Sequence, residues 1–244
     1  MSRTENATKW IKSYKKNSHK RKALESASTN FNESDNLTVN TLEAIYGQES
    51  SFGNESVLDK DVRGSSGAVG HFQIEKTTAG KRMRTLKSND ERFDIDQSSH
   101  FAAGYLKRID NSFSKKTYVY KEGSYGRIYT TPISNSNERR LFDVASYNAG
   151  LKRIAIAQIE TSRAGMDPEK WSDVKDYLAV AGANEDKVKE IIEYVDNVMF
   201  YEKIFREKSS ANKDKKYEDS ALYPSSDGGH WVTLDDGRRI MIGN

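Results

Sequence analysis

The sequence predicts a mainly α-helical domain over residues 38–208, with a small β-hairpin insertion and a short C-terminal β element. Apolar residues recur at helical spacing through 38–208, whereas residues 117–131 and 228–244 alternate as strands do. The flanking regions differ in composition. Residues 1–37 indicate a basic, flexible N-terminal extension, and residues 209–244 indicate a charged linker followed by a hairpin.

The composition restricts the class of protein. Of the 244 residues, 35% are hydrophobic and 31% charged, and no stretch approaches the ~20 apolar residues that cross a bilayer. The absence of cysteine excludes disulfide scaffolds, thiolate metal sites and cysteine nucleophiles. The net charge of +3 does not by itself indicate nucleic-acid binding. We therefore expect no membrane span and no specific nucleic acid.

Positive charge is concentrated at the N-terminus, where residues 1–22 contain eight Lys or Arg residues and one acidic residue, Glu5. This pattern indicates a solvated terminus, or an arm that binds an anionic partner such as nucleic acid, lipid headgroups or a cell-wall polymer. No apolar run follows these charges, so no export signal is expected.

The first helix of the body carries a carboxyl group on its apolar side. Thr38 or Asn40 can cap its start, and Leu42, Ile45 and Glu49 then fall at i, i+3 and i+7. Burial disfavours the charged form of a carboxyl group and raises its pKa, as a general acid working near neutral pH requires. The structural alternative is that Glu49 pairs with an arginine or caps a neighbouring backbone.

Several sequence fragments follow Glu49 in a recognisable order. They are ESSF (49–52), GSSGAVGHFQI (64–74), FDIDQSSHFAAGYL (93–106), SYNAG (146–150) and EYVDNVMFYEKI (193–204). In this order they resemble the lytic transglycosylases of the soluble, goose-lysozyme-like type. The resemblance covers about residues 40–206 and implies a lysozyme-like (α+β) helical catalytic domain.

The resemblance implies cleavage of the β-1,4 bond between N-acetylmuramic acid and N-acetylglucosamine in peptidoglycan. Glu49 would be the sole catalytic carboxylate, protonating the glycosidic oxygen and then taking the proton of the muramyl C6 hydroxyl as a 1,6-anhydro ring closes. This differs from the usual pair of carboxylates, because no water needs a second carboxylate. Asp59 and Asp61, weighed as a second carboxylate, are expected to be loop residues.

The resemblance also implies a set of substrate-binding residues. They are Ser50, Gly70, Phe72, Gln73, Tyr147, Asn148 and Tyr194. Gly70, with Gly67, would let the backbone approach the sugar, and Phe72, in a His-Phe pair where the family has Leu-Met, would shape the floor of a subsite.

The polar residues of this set have structural alternatives. Gln73 would face the cleft, or else tie down its own loop. Tyr147 would hold Glu49 or the N-acetyl group, and Asn148 would tie the turn that follows. Tyr194 would add a ring and a hydroxyl group to the cleft wall, although tyrosines at helical spacing also occur in cores.

Metal and nucleophile motifs are absent from the sequence. The four histidines show no ligand spacing, and neither H-E-x-x-H nor G-x-S-x-G occurs. No metal and no cofactor are expected.

The two β segments carry further expectations. Residues 117–131 would form a hairpin over the cleft that sets substrate reach, or else a surface loop. In the tail, Asp236 and Gly237 suit a two-residue turn, with Trp231 and Thr233 on the face of Ile240 and Ile242. The tail loosely resembles terminal segments of phage structural proteins.

The sequence thus predicts a peptidoglycan lytic transglycosylase that opens the cell wall locally for a phage particle. It would be associated with the virion, act in the periplasm on glycan strands, and contact other virion proteins through the N-terminal arm or the C-terminal hairpin. A periplasmic bacterial enzyme without its signal is the alternative location. A water-using muramidase of goose-lysozyme type and a non-catalytic, wall-binding virion protein are the alternative functions.

Overall fold

The structure is a computed structural model that describes residues 2–13, 18–58, 67–86, 88–221, 230–233 and 239–242. Its helices are α1 (Arg3–Ser13), α2 (Ser18–Ser28), α3 (Val39–Ser50), α4 (Lys76–Ala79), α5 (Ile95–Phe113), α6 (Ser136–Ala149), α7 (Leu151–Arg163), α8 (Trp171–Val174) and α9 (Glu185–Ala221). Its strands are β1 (Thr85–Leu86), β2 (Asn89–Asp90), β3 (Tyr118–Glu122), β4 (Gly126–Tyr129), β5 (His230–Thr233) and β6 (Arg239–Ile242). The strands pair into three antiparallel hairpins, β1 with β2, β3 with β4 and β5 with β6. The predicted mainly helical fold is confirmed.

The chain divides into two compact units, Met1–Phe205 and Arg206–Asn244. In the first unit, α5 packs against α2, α3 and α6 around a large apolar core. Phe113 of α5 meets Phe142 of α6 edge to face, with their ring centroids 5.5 Å apart. Leu42 and Ile45 of α3 are fully buried, as their helical spacing predicts. Burial of each such side chain stabilises the fold by about 1.5–3 kcal/mol.

Both ends of α3 are fixed by hydrogen bonds, and Glu49 lies close to its C-terminal end. The helix begins after Thr38, whose backbone N–H donates to Oγ1 of Thr41 at 3.1 Å. After Ser50 the backbone turns sharply, because residues 51–53 all have positive φ values, of 49°, 61° and 72°. The Ser50 hydroxyl group fixes this turn by accepting the N–H of Gly53 at 3.0 Å. Glu49 therefore lies on the last turn of its helix.

The N-terminal region differs from the flexible extension that its charge predicted. Residues 3–13 and 18–28 are helical, and Trp10 and Leu24 are buried in the main core. The Trp10 ring stacks on Phe52 at 5.1 Å between centroids, and its Nε1–H donates to Oε1 of Glu43 at 3.2 Å. The charge pattern alone did not predict this packing. The few apolar residues of each helix lie on one side of it, among many Lys and Arg side chains.

The charged linker predicted to begin at residue 209 is also replaced by helix, since α9 continues to Ala221. No Gly or Pro interrupts residues 185–221, and Lys, Glu and Ala favour helix, so charge alone does not end it. No helix among the described residues is both long enough and apolar enough to cross a membrane.

The C-terminal hairpin forms, but its register differs by one residue from the predicted register. Trp231 is paired with Met241, and Val232 is paired with Ile240. A two-residue turn at Asp236 and Gly237 would instead have paired Thr233 with Ile240. A shift of one residue reverses which residues share a face, so the predicted grouping of Trp231 with Ile240 is wrong. The turn itself lies outside the described residues.

Candidate active site

A polar cleft of about 470 Å³ lies in the first unit at the end of α3. It is lined by Glu49, Ala68, Gln73, Ile74, Glu75, Thr78, Phe101, Tyr105, Tyr147, Asn148, Ala149, Gly150, Lys187 and Glu190. These residues come from α3, α5, α6, α9 and the segment from residue 68 to α4. The cleft therefore unites four of the residues that the sequence motifs singled out.

Glu49 is the titratable group with the clearest chemical signature in this cleft. Burial raises the pKa of its carboxyl group to about 8, and the negative charge of Glu190 acts in the same direction. A hydrogen bond from Tyr194 and the positive charge of Lys187 partly offset this rise in pKa. At neutral pH the carboxyl group is therefore mainly protonated, as a proton donor must be.

Tyr194 lies on α9 and is 4% exposed. Its hydroxyl group donates a hydrogen bond to Oε1 of Glu49. Tyr194 therefore holds the carboxyl group in place from behind and does not form part of the open cleft wall. Burial and the charge of Glu49 raise the pKa of Tyr194 well above its ordinary value, so the phenol keeps its proton.

Tyr147 lines the cleft, but its partner is not the predicted one. Its hydroxyl group donates to the backbone carbonyl of Phe72 at 3.1 Å and not to Glu49. The ring lies 5.6 Å from that of Tyr105 on α5, measured between centroids. Tyr147 thereby joins α6 to the loop at 67–74 across the cleft wall.

Asn148 joins α6 to α9. Its Nδ2 donates to Oε1 of Glu190 at 3.0 Å, and its Oδ1 accepts from Nζ of Lys187 at 3.2 Å. Lys187 also contacts Oε1 of Glu190 at 2.7 Å, which closes a triangle of three polar groups. Asn148 thus ties two helices together, rather than the turn that follows it, while still lining the cleft.

Gln73 serves both of the roles weighed for it. It lines the cleft, and its Nε2 donates to the carbonyl oxygen of Gly70 at 2.9 Å. Its φ of 44° is unusual for a residue with a side chain. The surrounding loop is held by Arg92, whose Nη1 donates to the carbonyl of Ile74 at 2.9 Å while its guanidinium group pairs with Asp90.

Three predicted substrate contacts do not reach the cleft. Ser50 is fully buried, and its hydroxyl group bonds to the backbone of its own turn. Phe72 is fully buried against Tyr46, with ring centroids 5.5 Å apart, so it forms core and not the floor of a subsite. Residue 70 must be glycine, because a Cβ atom at this position would lie 1.9 Å from the carbonyl oxygen of Arg92. Asp59 and Asp61 lie outside the described residues.

Other residues of the cleft were not predicted from the sequence. Phe101 and Tyr105 of α5 stack at 6.3 Å between centroids, and Glu75 and Glu190 bring carboxylates. The signal for the aromatic pair was present, since both residues fall in the fragment at 93–106 that resembles the family. Among the described residues, no group of three or more His, Asp or Glu side chains is arranged to hold a metal ion.

The helical fold, with a glutamate of raised pKa in a polar cleft, has the lysozyme-like architecture predicted from the sequence. The family model described as "Transglycosylase SLT domain" matches residues 27–168, more than half of the chain. The chain belongs to this family.

Three curated relatives are named membrane-bound lytic murein transglycosylase F. The protein of Desulfosudis oleivorans is 24% identical over 165 residues, which are 64% of this chain and 32% of the relative. That of Cellvibrio japonicus is 26% identical over 191 residues, 75% of this chain and 32% of the relative. That of Aliivibrio fischeri is 34% identical over 142 residues, 52% of this chain and 24% of the relative. The match thus spans about a third or less of each relative's length.

Proposed function

We propose that the chain is a peptidoglycan lytic transglycosylase that cleaves the bond between N-acetylmuramic acid and N-acetylglucosamine and leaves a 1,6-anhydromuramyl end. The observation that carries this proposal is the carboxyl group of Glu49, which lies in a polar cleft with a pKa of about 8. Family membership and the names of the curated relatives support the same substrate class.

Glu49 would act twice in one turnover. Its carboxyl proton passes to the glycosidic oxygen as the bond between that oxygen and muramyl C1 breaks. The resulting Glu49 carboxylate takes the proton of the muramyl C6 hydroxyl group as that hydroxyl oxygen bonds to C1. Glu49 ends protonated, and no water is consumed. The intramolecular nucleophile is close to its target in advance, which lowers the entropic cost of the step.

The remaining cleft residues suit an amphipathic sugar. Phe101, Tyr105 and Tyr147 offer aromatic surface to pyranose rings, while Gln73 and Asn148 offer amide groups to hydroxyl and N-acetyl substituents. The Tyr194 hydroxyl group stabilises the Glu49 carboxylate at the moment it forms, because it donates to the oxygen that gains charge.

A water-using muramidase is the second candidate. The observation in its favour is that Glu75 and Glu190 line the same cleft as Glu49 and could activate a water molecule. Lys187 and Asn148 hold Glu190, and their hydrogen bonds lower its pKa, so it is a carboxylate at neutral pH.

Mass spectrometry of digested peptidoglycan in H₂¹⁸O separates the two reactions. We expect wild type to release anhydromuropeptides without ¹⁸O, and Glu49→Gln to release none. Glu75→Gln and Glu190→Gln are matched controls, and both should still yield anhydro products. Reducing ends that carry ¹⁸O and depend on Glu75 or Glu190 would establish the muramidase. Equal release by wild type and Glu49→Gln would refute the role of Glu49.

We further propose that the protein is carried by a phage particle and opens the wall locally from the periplasmic side. The resemblance of the C-terminal tail to segments of phage structural proteins supports this location. Immunodetection in purified particles tests it, and detection in the host periplasm alone would favour a bacterial enzyme. A virion protein that binds the wall without turnover would sediment with peptidoglycan and release no fragments.

A further inference from the structure

The β3–β4 hairpin carries exposed aromatic side chains outside the cleft. Tyr118 and Tyr120 are 52% and 51% exposed, and they are two of the few large apolar or aromatic residues with such exposure in the described part of the chain. Tyr118 is paired with Tyr129 of β4, and the two rings meet edge to face at 5.6 Å between centroids. Tyr118, Tyr120 and Tyr129 are referred to below as the hairpin tyrosines.

One side of the hairpin anchors it to the domain. Ile128 is fully buried against α7, and Val119 packs on the same cluster. Tyr120 is paired with Ile128 and therefore lies on this anchored side, where it is half exposed, whereas Tyr118 and Tyr129 are paired with each other on the other side. Exposed tyrosine rings thus lie on both sides of a hairpin that packs against a helix.

Cations lie beside the hairpin tyrosines. Nζ of Lys116 lies 5.2 Å from the centroid of the Tyr129 ring, and Nζ of Lys152 lies 4.6 Å from that of Tyr120. Residues 115–129 contain four Lys or Arg residues and one acidic residue. The surface therefore combines aromatic rings with a positive charge.

One of the hairpin tyrosines, Tyr120, lies close to the candidate active site. Gly150 lines the cleft, and Lys152, two residues later at the start of α7, contacts Tyr120. Consecutive Cα atoms are 3.8 Å apart, so the Cα atoms of Gly150 and Lys152 are at most about 7.6 Å apart. A polymer leaving the cleft past Gly150 would reach the hairpin at once.

We propose that the hairpin tyrosines, with Lys116 and Lys152, form a second binding surface that holds peptidoglycan strands next to the Glu49 cleft. The apolar C–H face of a pyranose ring packs on an aromatic ring, and the carboxylates of the peptide stems complement the lysines. The identity of the polymer rests on the proposed function. With this surface, the enzyme would bind the insoluble wall more tightly than it binds a short soluble fragment.

Sedimentation with purified peptidoglycan sacculi tests this surface without requiring turnover. The full chain carrying Glu49→Gln is compared with the same chain carrying Tyr118→Ala and Tyr120→Ala, at 0.15 M and 0.5 M salt. We expect the apparent dissociation constant to rise at least fivefold at both salt concentrations. Tyr118→Phe with Tyr120→Phe should restore binding, because the rings remain. Leu86→Ala with Met166→Ala is the matched control at other exposed apolar residues and should bind normally.

Turnover gives the second readout. In the chain with Glu49 intact, the double alanine variant should digest sacculi more slowly but process soluble disaccharide-peptide dimers as wild type does. Unchanged sedimentation of the alanine variant would overturn the proposal. So would an equal loss in the Leu86 and Met166 control, or tighter binding of a single-stranded nucleic acid than of sacculi. If wild type shows no turnover, the proposed reaction fails, whereas the binding comparison still decides the fate of this surface.

Discussion

The Tyr194 hydroxyl group donates a hydrogen bond to Oε1 of Glu49, although the two residues lie 145 positions apart in the chain. The donor comes from α9 and the acceptor from the last turn of α3, so the packing of these two helices sets the position of the Glu49 carboxyl group. The phenol keeps its own proton, because burial raises its pKa well above the ordinary value. Glu49 thus has a permanent neutral donor beside it.

Replacing Tyr194 by Phe should change the pH dependence of activity. The hydrogen bond favours the ionised form of Glu49, so its loss should raise the pKa of that carboxyl group above the value of about 8. The alkaline limb of a kcat/KM profile should move to higher pH. Its plateau should fall about 10–100-fold, since a hydrogen bond to a charged group contributes about 1.5–3 kcal/mol. Tyr201→Phe, on the same helix, is the control, and an unmoved limb for Tyr194→Phe would contradict the assignment.

Two glycines with similar φ values should differ in their tolerance of a side chain. At Gly70 a Cβ atom would lie 1.9 Å from the backbone oxygen of Arg92, whereas a Cβ atom at Gly67 would have no atom of a described residue within 4 Å. We expect Gly67→Ala to cost only about 1 kcal/mol, from its φ of 77°. Gly70→Ala should cost about 3 kcal/mol or more, because the 67–74 loop must also move. Urea denaturation measures both, and equal costs would mean that the contact with Arg92 is unimportant.

Asp143 should make the stability of the fold fall as pH rises. This side chain of α6 is fully buried, no hydrogen bond to either of its oxygens forms within the described residues, and burial raises its pKa well above 3.8. Above about pH 4 the unfolded chain loses this proton while the folded chain keeps it, so wild type loses stability there. Asp143→Asn should match wild type in stability near pH 3 and be more stable than wild type at pH 7.

Asp110→Asn provides the opposite control for Asp143. Asp110 accepts a hydrogen bond from Nε of Arg139 at 2.6 Å, so its replacement leaves a buried guanidinium group with a lost partner. That variant should be about 3–5 kcal/mol less stable than wild type at pH 7. If Asp143→Asn were destabilising to a similar degree, Asp143 would be an ionised member of the same charge network.

Trp10 should contribute to global stability despite its position near the N-terminus. The ring is 4% exposed, stacks on Phe52 and donates to Glu43, so Trp10→Ala should cost about 3–5 kcal/mol. Lys9→Ala, at the exposed neighbouring residue, should change stability by less than about 0.5 kcal/mol. Thermal unfolding followed by circular dichroism compares the two. Equal melting temperatures would restore the flexible extension that the charge pattern predicted.

The sequence predicted the helix that carries Glu49 better than it predicted the contacts around that helix. Helical spacing was enough to place Glu49 beside Leu42 and Ile45, since a regular helix fixes which residues share a side. The motif fragments at 49–52 and 64–74 did not reveal that Ser50 and Phe72 point into the protein. Side-chain direction there depends on positive φ values in residues 51–53 and at Gln73, which no periodicity encodes.

Contacts between segments that are far apart in the sequence could not be predicted either. The hydroxyl partner of Tyr147 is a backbone carbonyl 75 residues away, and that of Tyr194 is 145 residues away. Motifs indicated that these tyrosines belong to the site, but only the packing of α3, α6 and α9 decides which atom each hydroxyl group meets. The predicted register of the C-terminal hairpin was wrong for a more local reason, because a shift of one residue in the strand pairing reverses which side chains share a face.

The span between Glu49 and Tyr194 also matters while the protein is being made. At about 5–20 residues per second, ribosomes add the intervening 145 residues in roughly 7–30 s. During that time the nascent chain contains Glu49 and later Gln73 and Tyr147. It still lacks the hydroxyl group of Tyr194 and the residues of α9 that line the cleft. A product of premature termination before α9 would share this defect. The packing around Glu49 is therefore completed only after α9 has been synthesised.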